Sequence, residues 1–190
     1  MCASRPAFAT ALGLWLGLGP ACSVADLTSG APLDAGDHDA ASGGDALDAA
    51  LMAPTTQVGL KNLQNGRFLE VPGQSTTNGG PVVTSSYAGV IDQLWIFRAE
   101  EGGTYEIVNW NSGDCLQAPN GETGNGTPMQ QWMCLGGPNQ LWKLVGLYGH
   151  LQLIGQQSGR CLASLTDRDD AGVYVWDCYD DLSELWEIAE

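Results

Sequence analysis

Among side chains able to do covalent, acid–base or metal chemistry, the cysteines stand in a pattern. Cys115 and Cys134 lie 19 residues apart, and Cys161 and Cys178 lie 17 apart. Such a set can form disulfides, bind zinc or supply a nucleophile. Zinc is not expected, because no close C-x-x-C pair and no histidine accompany them. His38 and His150 stand apart from any Ser or Cys nucleophile signature. Asp169-Asp170 and Asp180-Asp181 fall in turn-like segments and read as solvated loops. A glycosidase needs two carboxyls flanking a cleft. Asp34, Asp37 and Asp39 lack the glycine and bidentate glutamate of a calcium loop. No glycine-rich phosphate cradle is present. Neither catalysis, cofactor nor metal is therefore expected, which leaves cross-linking and noncovalent binding.

The elements that position these residues repeat. Gln93-Leu94-Trp95 recurs as Gln140-Leu141-Trp142 and, with one change, as Glu184-Leu185-Trp186, at spacings of 47 and 44. A period of this size marks units that bury their apolar faces only against one another. The copies align upstream as well. Phe68-Leu69-Glu70, Cys115-Leu116-Gln117 and Cys161-Leu162-Ala163 correspond, and Tyr87, Cys134 and Cys178 each stand eight residues before the last Trp. The first copy thus carries Phe68 and Tyr87 where the others carry two cysteines. Joint replacement favours paired half-cystines, each worth about 3 kcal/mol for loops of this size. The other reading is reduced core thiols. Strands are expected at Tyr105-Glu106-Ile107-Val108-Asn109-Trp110, Leu151-Gln152-Leu153-Ile154 and Val173-Tyr174-Val175-Trp176, by alternation or by β-branched and aromatic content. Asn65-Gly66, Asn120-Gly121, Asn125-Gly126 and Gly136-Gly137-Pro138 supply turns.

On these motifs the chain from about Val58 to Glu190 resembles the ricin B-type lectin domain, an all-β β-trefoil with three Q-x-W repeats. The resemblance implies a domain over 57–190 with repeats at about 58–99, 104–146 and 149–190, and twelve strands, four per repeat. It implies carbohydrate as the partner of a noncatalytic module, although such domains are often appended to glycosidases or toxins. The Q-x-W Trp is expected in the core, and its Gln as a brace for a neighbouring loop. Glu184 would do part of that work without an amide donor. In the family's pocket an Asp lies two residues after the first Cys. A Gln and an aromatic stand two apart in the third strand, and an Asn precedes Q-x-W. Repeat 2 places Gln117, Gln130, Trp132 and Asn139 at those positions. Gln117 replaces a carboxylate and loses charge-assisted strength. Repeat 1 keeps only Glu70, with Val83, Ser85 and Asp92 at the other places. Repeat 3 keeps only Trp176, with Ala163, Tyr174 and Ser183. Both Trp132 and Trp176 have a purely structural alternative as cover between repeats. The rival function is a β-trefoil protein-interaction or inhibitor module with degenerate sugar sites.

The N-terminus reads as an export signal over 1–22. Arg5 precedes an apolar run from Ala7 to Leu18, too short for a membrane span. Cys22 follows a small residue, which resembles a bacterial lipoprotein signal with Cys22 lipidated. Leu18 stands one residue further from that Cys than the family prefers, so ordinary cleavage and secretion is the alternative. Residues 23–56 hold six Asp, no Lys or Arg and no aromatic, which suits a disordered acidic tether. The expected location is the bacterial cell envelope or the exterior, with a membrane contacted only through the lipid. The protein is expected to be a monomer. A net charge of −15 argues against nucleic acid, which needs basic patches.

Overall fold

The computed structural model describes residues 56–189. The expected leader over 1–22, its Cys22, and the tether over 23–56 apart from its last residue lie outside them. The described residues form β1 (Val58–Asn62), β2 (Phe68–Glu70), β3 (Val83–Ser85), β4 (Leu94–Glu100), β5 (Thr104–Asn109), β6 (Cys115–Gln117), β7 (Thr127–Pro128), β8 (Gln130–Trp132), β9 (Leu141–Leu147), β10 (His150–Gly155), β11 (Cys161–Ser164), β12 (Ala171–Trp176) and β13 (Leu185–Ala189). Short 3-10 turns occupy Pro72–Gln74, Ile91–Gln93 and Pro119–Gly121. Among the described residues no helix is long and apolar enough to cross a membrane.

Six strands close a barrel. β1 pairs β4, β4 pairs β5, β5 pairs β9, β9 pairs β10, β10 pairs β13, and β13 returns to β1, all antiparallel. Closure leaves this ring without a free edge. Six of the remaining strands form one hairpin per repeat, β2–β3, β6–β8 and β11–β12, and the short β7 pairs β12. Val82 N–H donates to Met129 O (3.1 Å), Met129 N–H to Val173 O (2.8 Å), and Val173 N–H to Val82 O (3.4 Å). This ring of three backbone hydrogen bonds marks the pseudo-threefold axis of a β-trefoil.

The core follows the same threefold rule. Leu60, Ile107 and Leu153 are fully buried, as are Leu69, Leu116 and Leu162, and Trp95, Trp142 and Trp186. Each of these Trp donates its Nε1 proton to the carbonyl of the matching leucine: Leu69 (2.9 Å), Leu116 (3.1 Å) and Leu162 (2.9 Å). The indole therefore fills the barrel and satisfies its polar atom in one placement, as a buried Trp requires.

Thirteen strands replace the expected twelve, because the third strand of repeat 2 is divided at Met129. Thr127–Pro128 pairs β12, whereas Gln130–Trp132 pairs β6. Pro128 has no N–H to continue the ladder.

Disulfides join Cys115 to Cys134 and Cys161 to Cys178, with Cα atoms 5.1 and 5.3 Å apart. In repeat 1 the rings of Phe68 and Tyr87 pack at 4.8 Å between centroids. The larger Phe needs space, and Gly59 supplies it. A Cβ at Gly59 would fall 2.9 Å from the Phe68 ring. Register places Glu106 and Gln152 at the same point in the disulfide-bearing repeats. The aromatic pair and the glycine are thus one linked substitution.

Candidate functional site

The four repeat-2 positions meet in one hollow. Gln117 ends β6, Gln130 and Trp132 lie two apart on β8, and Asn139 precedes the Q-x-W brace. All four line a hollow of about 470 Å³, within the range of small-molecule sites. Period-2 alternation puts Gln130 and Trp132 on one face of β8 and turns Gln131 inward, where it is fully buried. Further contributors were not singled out from sequence as site residues, among them Asn120 from the 3-10 turn after β6, Leu135 and Pro138 from the loop after β8, and Gln157 from the β10–β11 turn of repeat 3. Gln157 reaches across because its Nε2 donates to Gly121 O (3.0 Å). Only the turn signals Asn120-Gly121 and Gly136-Gly137-Pro138 hinted at this wall.

Trp132 has two faces. It is half-buried, and its Cζ3 would lie 3.5 Å from a Cβ at Gly79. The Asn78-Gly79 turn of repeat 1 therefore backs the ring, and Met133 N–H donates to Asn78 Oδ1 (2.7 Å). Trp176 repeats the arrangement against Asn125-Gly126, with a Gly126 Cβ at 3.4 Å and Asp177 N–H on Asn125 Oδ1 (2.9 Å). Both rings thus cover a junction between repeats, and Trp132 also lines the hollow.

The brace is the same in repeats 1 and 2. Gln140 donates to Met133 O (2.8 Å) and accepts from Leu135 N–H (2.7 Å). Gln93 donates to Ser86 O (2.9 Å) and accepts from Ala88 N–H (2.9 Å). Each then donates to the residue at the family's Asp position. Gln140 reaches Gln117 Oε1 (2.9 Å), and Gln93 reaches Glu70 Oε2 (2.6 Å). Repeat 3 differs as an acid must. Glu184 accepts from Tyr179 N–H (2.8 Å) and Asp180 N–H (3.1 Å), but it has no proton for a loop carbonyl.

Repeats 1 and 3 do not assemble the remaining set. Asp92 takes the place of Asn139. Its Oδ2 accepts from Gln74 N–H (2.9 Å), while its Oδ1 is buried without a partner. Asn139 has an Nδ2 there, which donates to Ala118 O (3.1 Å) and Gln117 Oε1 (3.3 Å). In repeat 3, Asp177 is drawn into a cluster with Asn125 and Arg160 beside Trp176. Glu106 lies near the Cys115–Cys134 sulfurs. Those sulfurs are bonded to each other, and Arg98 Nε donates to Glu106 (2.7 Å). The trio therefore offers no free ligand set.

The model of the ricin-type β-trefoil lectin domain-like family matches residues 51–132 and 91–176. The chain belongs to this family. The designed threefold-symmetric protein ThreeFoil is 29% identical to this ricin-type domain, with a TM-score of 0.69. That match covers 70% of this chain and 98% of ThreeFoil. The exo-β-1,3-galactanase 1,3Gal43A of Clostridium thermocellum is 25% identical, with a TM-score of 0.69 over 71% of this chain. The match spans 30% of the galactanase. The C-half of an earthworm R-type lectin, solved with GalNAc, shares the fold at 15% identity and a TM-score of 0.56, over 70% of this chain and 97% of that one. No curated protein matches the chain.

Acid groups in this ricin-type domain shape its stability against pH. Burial raises the Glu184 carboxyl above its ordinary value. The Tyr179 and Asp180 N–H groups oppose the shift, and the charges of Asp181 and Asp180 add to it. Burial also raises Glu70, with Gln93 opposing and Asp92 and Asp170 adding, and burial raises Asp114. A carboxyl raised by folding binds its proton more tightly when folded. Stability is therefore gained as pH falls through the folded values toward the ordinary range. Relief of self-repulsion at −15 has the same sign. Asp169 runs the other way. The N–H and O–H of Ser86 lower it, so its contribution is lost only in stronger acid. The melting temperature should rise between about pH 7 and pH 5. Glu184→Gln should stabilise the domain at pH 7 by roughly 1 kcal/mol for the regained brace donor, which raises the melting temperature, and should shrink the pH 7-to-5 gain. Melts followed by circular dichroism check both. A Glu184→Gln protein less stable at pH 7 would contradict the reading of Glu184.

Proposed function

We propose that this domain binds carbohydrate noncovalently, without catalysis, through the hollow of repeat 2. The observation that carries this is the coincidence of the Trp132 ring with the Gln117, Gln130 and Asn139 amides on one hollow. An indole face covers the apolar face of a sugar, and amides donate to and accept from its hydroxyls. The lectin-like family and the lectin among its structural neighbours support the same reading. Glu70 and Trp176 are the weaker candidates, because neither is accompanied by a full set. A single shallow site of this kind is weak. Many copies held on one membrane would raise avidity without any new contact. An exported protein lipidated at Cys22 and spaced by residues 23–56 would supply that display. The two disulfides fit an oxidising compartment.

Glycan-array binding of the full-length exported protein tests the proposal, with Trp132→Ala as control. Wild type should hold a subset of glycans and Trp132→Ala should lose them. Partition between membrane and soluble fractions, with and without Cys22→Ala, reads the anchor in the same preparations. Because Gly79 backs the ring, Trp132→Ala should also cost roughly 1–2 kcal/mol of stability for the buried half of its surface. Absence of glycan binding by a folded wild type would overturn the carbohydrate reading and leave the protein-interaction module.

A further inference from the structure

Resting on the carbohydrate reading above, we propose that Gln117 makes the repeat-2 hollow select sugars bearing an acetamido group. The argument starts from backbone atoms, which cannot exchange donor for acceptor. Met133 O and Leu135 N–H hold the Gln140 amide in one orientation. The second Nε2 proton of Gln140 then points at Gln117, so the atom it meets at 2.9 Å is an oxygen. Asn139 agrees independently. Ala118 O takes its Nδ2, and the same Nδ2 reaches Gln117 Oε1 at 3.3 Å. Flipping Gln117 would set its NH2 against two other NH2 groups. Its oxygen is thus committed inward, and Nε2 is the donor that remains on a residue lining the hollow. Gln117 is only 6% exposed, so the surrounding packing holds it in place.

The same logic leaves Asn139 with a free acceptor. Its Oδ1 lies in room that Gly137 provides, since a Cβ there would come within 2.8 Å of it. The hollow therefore presents a donor from Gln117 and an acceptor from Asn139, two residues already bonded to each other. Leu135 and Pro138 add an apolar wall. A secondary amide with a methyl group has the complementary set: a carbonyl to accept, an N–H to donate and a methyl for the wall. A hydroxyl in that position uses less of it. A uronate carboxylate offers an acceptor but no N–H, and it approaches a protein of net charge −15.

Repeat 1 supplies the contrasting design. Glu70 occupies the place of Gln117 and spends Oε2 on the brace residue Gln93 at 2.6 Å. The scaffold therefore accepts an acid there with the brace bonded. Gln117→Glu should keep one oxygen on Gln140 and Asn139 and turn the other into the hollow, which replaces a donor by an acceptor.

Calorimetric titration tests this with N-acetylgalactosamine against galactose, N-acetylglucosamine against glucose, and galacturonate and glucuronate as the anionic arm. Wild type should bind at least one acetamido sugar about five- to tenfold more tightly than its hydroxy parent, and neither uronate more tightly than that parent. In Gln117→Glu the ratio should fall to about one or invert. A wild-type ratio near one overturns the proposal whether or not the variant folds. So does a variant that changes both sugars equally, or a wild type that prefers a uronate. In each of those cases binding that Trp132→Ala abolishes leaves the carbohydrate reading standing. If wild type binds none of these sugars and no array glycan, both readings fall together.

Discussion

Trp142→Ala is expected to abolish cooperative folding near body temperature. The ring is about 1% exposed in the barrel core, and truncating a buried Trp costs about 3–5 kcal/mol. Loss of the Nε1 bond adds to this by orphaning the Leu116 carbonyl, which accepts at 3.1 Å. An unsatisfied buried acceptor costs about 1–3 kcal/mol. A whole domain holds only about 5–15 kcal/mol, so one substitution removes much of it. Trp142→Phe should sit between, since it keeps apolar bulk and loses the donor. Urea titration followed by circular dichroism reads all three proteins. A Trp142→Ala midpoint no lower than that of Trp132→Ala would refute the distinction between a barrel Trp and a junction Trp.

Removal of both disulfides should have an effect of similar size. The Cys115–Cys134 and Cys161–Cys178 loops separate their cysteines by 19 and 17 residues. In the chain-entropy model each contributes about 3 kcal/mol. They lie in different repeats, and distant sites add. The double Cys-to-Ser pairs should therefore lose about 6 kcal/mol. Repeat 1 shows how one bridge can be replaced. Phe68, Tyr87 and Gly59 do so as a set. Cys161→Phe with Cys178→Tyr should destabilise further unless Gln152→Gly accompanies it, because only the glycine leaves room for the ring. Melts of these variants, and of wild type with and without reductant, supply the measurement. A reduced wild type that melts as the oxidised one does would sink the assignment of stability to the bridges.

The β-trefoil was legible in the repeats, and the reason is physical. Each repeat exposes an apolar face that only its neighbours can cover. Three in-register copies of one pattern therefore announce both the unit and its threefold closure. The disulfide pairing was legible for a related reason: Phe68 and Tyr87 replace both cysteines together, and two side chains that change together are in contact. The brace was readable from Gln93 and Gln140, and its partial loss from Glu184, because carboxylate and amide differ in having a proton to give.

The other features arise from contacts between segments far apart in the chain. The third strand of repeat 2 is split at Met129, because Thr127–Pro128 pairs β12 and Gln130–Trp132 pairs β6. Asn120 and Gln157 join the wall of the hollow from two different repeats, and no local pattern connects them. Asp92 was legible as a departure from Asn139, but only the fold shows the consequence: its Oδ1 is stranded where an Nδ2 has two acceptors. Gln117 is the sharpest case. The letter Q names a donor and an acceptor without saying which faces the ligand. Only the chain of bonds from Met133 and Leu135 through Gln140 turns its oxygen inward and its NH2 out.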